Sequence, residues 1–117
     1  MKIVKEGEFA WEYKGKVIHL YEDEIYYFHS EQRKTYVHTA NNFYEGRWKL
    51  REVEEQFQNL PMIRTHNSFL VHMKNLELLH SREVIMKNGE HIPVSESHRK
   101  QVFDAARIYF FCRKRDL

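Results

Sequence analysis

The feature that most constrains this chain is a single change of hydrophobic period in its middle. From residue 8 to residue 45, apolar residues arrive in short runs rich in aromatic and β-branched types, interrupted by Gly, Asn or charged residues. Such runs form strands, because branched and aromatic side chains pack well on a pleated surface. Then Leu50, Val53, Phe57 and Leu60 recur at three- and four-residue spacing, with Arg51, Glu52, Glu54, Glu55 and Gln56 between them. That is the stripe of an amphipathic helix of about three turns, ended by Pro61, and its uninterrupted apolar face reads as core. The resulting fold class is mostly β (α+β), with one central helix and a C-terminal one.

The strands can be placed in order. Residues 8 to 13 and 17 to 21, joined by Lys14-Gly15-Lys16, read as a hairpin. Residues 25 to 28 form a third strand, followed by a polar loop over 29 to 34, a strand over 35 to 39, a turn at Ala40-Asn41-Asn42, and a short strand over 43 to 45 ended by Gly46. Beyond the helix, residues 76 to 79 and 83 to 86 are strand candidates. Asn88-Gly89 supplies the positive backbone angles of a tight turn, so residues 84 to 87 and 90 to 94 form a hairpin. Ser95 or Ser97 caps a second helix whose apolar face is Val102, Phe103, Ala106 and Phe110.

At 117 residues and 42% hydrophobic content, the chain is long enough for one globular domain with a core and too short for two ordinary ones. It lacks an apolar run of membrane-spanning length and the apolar centre of a secretory signal, so a soluble, cytoplasmic protein without a membrane partner is expected. A single cysteine, Cys112, excludes an internal disulfide, and the eight histidines show no zinc-finger spacing, so neither a metal nor another cofactor is expected. The formal charge of +2 is only mildly basic. Its distribution says more: 9 Lys/Arg stand against 11 Asp/Glu up to Gln58, and 10 against 6 from Asn59 onward.

The basic half holds the stretch from Met62 to Val71. Ile63 on one side and Phe69, Leu70 and Val71 on the other are core anchors, while Arg64, Thr65, His66, Asn67 and Ser68 put donors and acceptors on a short connection between them. Arg64-x-His66-x-Ser68-Phe69-Leu70-Val71, then Asn75-Leu76-Glu77, Met86-Lys87-Asn88-Gly89 and Ile92-Pro93-Val94-Ser95, resembles the LytTR family of bacterial DNA-binding domains. Upstream, Ile25-Tyr26-Tyr27-Phe28, Thr35-Tyr36-Val37-His38-Thr39 and the Leu50-x-x-Val53-Glu54 helix fit as well. The resemblance covers roughly residues 15 to 105, with several separated motifs in the right order. It implies an elongated fold of small antiparallel sheets that presents loops to double-stranded DNA. It also implies the output role of a two-component response regulator, promoter direct repeats as target and a homodimer on DNA. Many relatives carry a receiver domain ahead of this module; 117 residues leave no room for one, so residues 1 to 117 read as a single DNA-binding domain, either a stand-alone regulator or an excised one.

Three polar clusters match the DNA-entering places of the family: Arg33 and Lys34; Arg64, His66, Asn67 and Ser68; and Ser97, His98, Arg99 and Lys100. Arg and Lys suit guanine edges or phosphates, Asn suits adenine, and a helix starting near Ser97 offers free amides to a phosphate. Each has a bland counterpart. Arg33 and Lys34 fit a solvated loop, His66 a hydrogen-bonded structural position, Arg64 a salt bridge to the central helix, and Arg99 and Lys100 an ordinary exposed face. Glu96 departs from the family, which often has a basic residue after the serine. Asn67 is the best single candidate for reading a base.

An enzyme is disfavoured, because His66, Asn67 and Ser68 are adjacent in sequence and rarely converge on one reacting atom, and no orienting acid is evident. The remaining alternative is a protein-interaction module whose working surface is the apolar stretch 108 to 111, before the basic end Arg113-Lys114-Arg115.

Overall fold

The computed structural model describes residues 2 to 112. The basic end at 113 to 115 lies outside the described residues. Strands β1 (Lys2–Lys5), β2 (Glu8–Tyr13) and β3 (Lys16–Tyr21) form one antiparallel sheet. The central sheet has five strands in the order β6-β5-β4-β8-β7: β4 (Tyr27–Glu31), β5 (Lys34–His38), β6 (Phe43–Gly46), β7 (Met62–His66) and β8 (Phe69–His72). A third sheet pairs β9 (Leu76–Leu79), β10 (Glu83–Met86) and β11 (His91–Pro93). The helices are α1 (Leu50–Gln56) and α2 (Arg99–Arg107), the latter running into a π-helical turn at Ile108–Cys112.

The central sheet is buried on both faces, which explains the unbroken apolar run in β8. Phe28 pairs with Val37 and Leu70 across the ladder, and these three face a core with Phe9, Trp11 and Leu20 of the first sheet and Leu50, Val53 and Phe57 around α1. Tyr27 pairs with Val71, and these face the opposite way, toward Val84, Met86, Ile92, Val102 and Ala106. Alternation of side chains along one strand thus serves two cores. The buried Asn75 is satisfied: its amide donates to the Ile25 carbonyl at 2.8 Å and the Asp23 carbonyl at 3.1 Å, which gives the Asn75-Leu76-Glu77 motif its structural role.

Four expectations are corrected. The polar loop over 29 to 34 shrinks to a two-residue turn, Gln32 and Arg33, because His29 and Glu31 stay on β4 and pair with Tyr36 and Lys34. Both turn residues are left-handed (φ 51° and 69°), the primed geometry that matches strand twist in short hairpins. Helix α1 has seven residues and stops before Phe57, since a continued helix would drive the Pro61 ring into the Phe57 carbonyl. The connection around residue 66 is mostly strand: β7 carries Arg64, Thr65 and His66, with a bulge at Thr65, and only Asn67 and Ser68 form the turn. Finally, neither Ser95 nor Ser97 caps a helix end with its side chain. The Ser95 hydroxyl is taken by the His98 ring at 2.7 Å, and a 3-10 turn at Glu96–His98 precedes α2.

Candidate nucleic-acid interface

Antiparallel pairing brings distant turns to one end of the central sheet. The β4–β5 turn and the β7–β8 turn lie side by side because β4 and β8 are neighbours, and the Ser30 amide donates to the Ser68 carbonyl at 3.0 Å. Thr35 pairs with Gly46, so the segment after β6 returns to the same end, where the Thr35 hydroxyl donates to the Trp48 carbonyl. The result is an open groove of about 500 Å³ lined by Arg33, Lys34, Trp48, Lys49 and Ser68, among others.

The second cluster is held from several sides. The Arg64 guanidinium donates through Nη2 to Glu54 of α1 at 2.8 Å and through Nη1 to the Asn67 carbonyl at 2.9 Å. The Ser68 amide donates to His66 Nδ1 at 3.0 Å, and the His66 ring stands edge-on to Phe69. Thr65 is fully buried. With its backbone carbonyl bound, Asn67 is exposed, and its side-chain amide has no hydrogen-bond partner among the described residues. Arg33 is also exposed, while Lys34 lies 3.8 Å from Glu45. The Tyr13 hydroxyl bonded to Glu45, helped by the Lys34 and Lys14 charges, holds that carboxyl below its ordinary range against the opposing effect of burial.

The third cluster joins the same assembly on the outer edge of β7. The Ser95 amide donates to the Thr65 carbonyl at 2.9 Å, two residues before Asn67. Ser97 is exposed, its hydroxyl 3.3 Å from those of Ser95 and from His98 Nδ1. Arg99 donates through Nε to the Ser81 carbonyl at 2.8 Å. Lys100 extends into solvent with 88% of its side chain accessible, paired with Asp104 at 2.8 Å. Solvent screens a one-turn surface pair of this kind, so it exchanges readily for another anion.

Arg33 and Lys34 of the first cluster and Ser68 of the second therefore share one groove, and the third cluster is attached through β7. Arg64 has the salt bridge to α1 that its bland reading offered, and His66 takes up a structural hydrogen bond. The reading by sequence passed over Lys49 and Arg47. They stand next to Trp48 between a strand and a helix, and only the Thr35–Gly46 pairing carries Lys49 into the groove.

This architecture defines a class: a β domain that presents its polar and basic residues on turns at the end of a central sheet. The family model for the LytTr DNA-binding domain matches residues 15–107, and the chain belongs to that family. Among solved structures it is similar to the LytTr DNA-binding domain of a Bacillus cereus protein described as a methyl-accepting/DNA response regulator. The TM-score is 0.73 and the identity 24%, over 85% of this chain and 95% of that one, a likeness of fold. No curated protein matches.

Proposed function

We propose that this domain is a sequence-specific, double-stranded-DNA-binding transcription regulator, the output module of a response regulator. In this reading the turn residues Arg33, Asn67 and Ser68 meet the DNA together with Lys34 at the start of β5, and Ser97, Arg99 and Lys100 hold an adjacent phosphate run. The observation that carries it is the convergence of two polar turns from opposite halves of the chain, which meet where Arg33, Lys34 and Ser68 line one groove, with the exposed Asn67 next in sequence to Ser68. An exposed asparagine amide can pair in two places with adenine, while lysine and arginine hold the backbone, so position and sequence are read by different residues. The test is a titration of Asn67→Ala against the preferred duplex and a scrambled one. The expected loss is about 1–3 kcal/mol on the preferred site and little on the other. Unaltered preference in a protein that melts normally would overturn the assignment.

A second reading, a protein-interaction surface including a second copy on direct repeats, draws on the C-terminal segment. Tyr109 and Phe110 pack against the second core, whereas Ile108 and Phe111 are 62% and 74% exposed. Phe111 lines an apolar groove with Leu76, Leu78, Leu79 and Phe103. Light scattering at micromolar concentration, with and without residues 108 to 117, tests it; equal monomeric masses exclude the homodimer.

A further inference from the structure

We infer that Glu54, an acidic residue on α1, sets DNA sequence preference by acting through Arg64 as a positioning residue for Asn67. The inference rests on Asn67 being the base-reading residue. One guanidinium spans two elements: Nη2 bonds the Glu54 carboxylate at 2.8 Å and Nη1 bonds the Asn67 carbonyl at 2.9 Å. Only 19% of the Arg64 side chain is accessible and its Nε is buried, so the group is turned inward. The carboxylate fixes the plane of the guanidinium, because a charged fork has one geometry in which both of its arms are satisfied. That plane in turn fixes the Asn67 carbonyl, and the Ser68 amide and carbonyl are held by His66 and Ser30. The backbone polar groups from the reading residue's own carbonyl through Ser68 are thus tied down while its side chain remains free. A turn held this way presents the amide at one angle, and recognition by a pair of hydrogen bonds tolerates little error in angle.

The chain of contacts makes a prediction opposite in sign to simple electrostatics. Removing a negative charge near DNA strengthens binding to every sequence alike. Removing the brace instead weakens the preferred site selectively. The experiment measures affinity for preferred and scrambled duplexes at several salt concentrations for Glu54→Ala, Glu54→Gln, Arg64→Ala, Asn67→Ala and the Glu54→Ala/Asn67→Ala double variant, with thermal melting alongside.

Glu54→Ala is expected to lose about tenfold or more of the preference, with no loss on scrambled DNA and an unchanged salt slope. Glu54→Gln, which keeps an oxygen acceptor for Arg64, is expected to retain most of it. The double variant is expected to show no further loss beyond Asn67→Ala, as two residues acting through one contact do. A Glu54→Ala protein that binds both duplexes more tightly and keeps its preference would overturn the brace. So would an Arg64→Ala protein that weakens both duplexes equally and lowers the salt slope by about one, the mark of a direct phosphate contact. If Arg64→Ala does not fold, the two Glu54 variants, on a half-exposed helix position, still decide. An Asn67→Ala protein with full preference would overturn the base-reading assignment and the brace with it. A normal Asn67→Ala result beside an inert Glu54→Ala overturns the brace alone.

Discussion

The Ser30 amide donates to the Ser68 carbonyl across 3.0 Å, joining the end of β4 to the turn that follows β7. This one bond links residues 38 positions apart and makes a shared groove of two turns that alone would be ordinary solvated loops. The strands that flank both turns are paired within the sheet up to Glu31–Lys34 and His66–Phe69, so the turns project from its end.

DNA affinity is expected to fall with salt at a slope of roughly −0.9Z, with Z of about 3 to 6 for a single small domain. Lys34→Ala, Arg99→Ala and Lys100→Ala should each weaken preferred and scrambled duplexes about equally, and each true contact should reduce the slope by about one. Lys100 and Lys34 first leave Asp104 and Glu45, half-buried partners at the surface whose hold on an exposed lysine is weak. Titrations between ~50 and ~200 mM salt check this; affinity indifferent to salt would refute the electrostatic contribution.

Gly46 is buried, and a Cβ placed there would overlap the Trp48 indole. That ring cannot easily retreat, since it stands edge-on to Trp11 at 4.9 Å and to Phe28 at 6.2 Å. Gly46→Ala should therefore cost about 1–3 kcal/mol of stability, measured by denaturant unfolding. It should also weaken DNA binding, because Trp48 and Lys49 line the groove.

Phe57 is almost fully buried between Phe9 at 4.5 Å and Phe28 at 5.5 Å, where α1 ends against two sheets. Phe57→Ala should cost about 3–5 kcal/mol, the range for removing a large core aromatic. A loss under about 1 kcal/mol would show that the first core does not hold the central sheet to the hairpin of β2 and β3.

Two histidines make stability depend on pH. Burial, reinforced by the neighbouring His29, pushes His38 down to about 4, although the nearby Glu90 opposes this. His72 is fully buried and also lowered, first by burial, with Glu22 opposing. Its Nδ1 accepts the Lys74 amide, so Nε2 carries the proton and donates to Glu22 at 3.1 Å. A histidine depressed in the folded state takes up a proton on unfolding, so stability rises with pH through this range and is lost below about 6.5. Thermal melts between about pH 4.5 and 7.5 should show the fall, and His38→Gln should flatten it; an identical slope in that variant would clear His38 of the role.

Periodicity and turn chemistry made much of the architecture legible before any coordinates. The β2–β3 hairpin, the Asn88-Gly89 turn, the apolar stripe of α1 and the Val102–Ala106 face of α2 are local patterns, encoded within a few residues of one another. The motif around Arg64, His66 and Ser68 carried the family for the same reason, being contiguous in the chain. Tertiary structure decided which side of each polar residue faces inward. Arg64 resembles a DNA contact in sequence, yet it is turned toward Glu54 by a helix ten residues upstream. Lys49 looks like a helix-flanking lysine until β5 and β6 pair and carry it beside Ser68. Local propensity acts over one turn of helix or a pair of strand positions, whereas a groove is made by chain segments whose meeting depends on burial of both faces of the central sheet. The sequence by itself determined the elements and the family; long-range packing determined which of their side chains remain free to meet a partner.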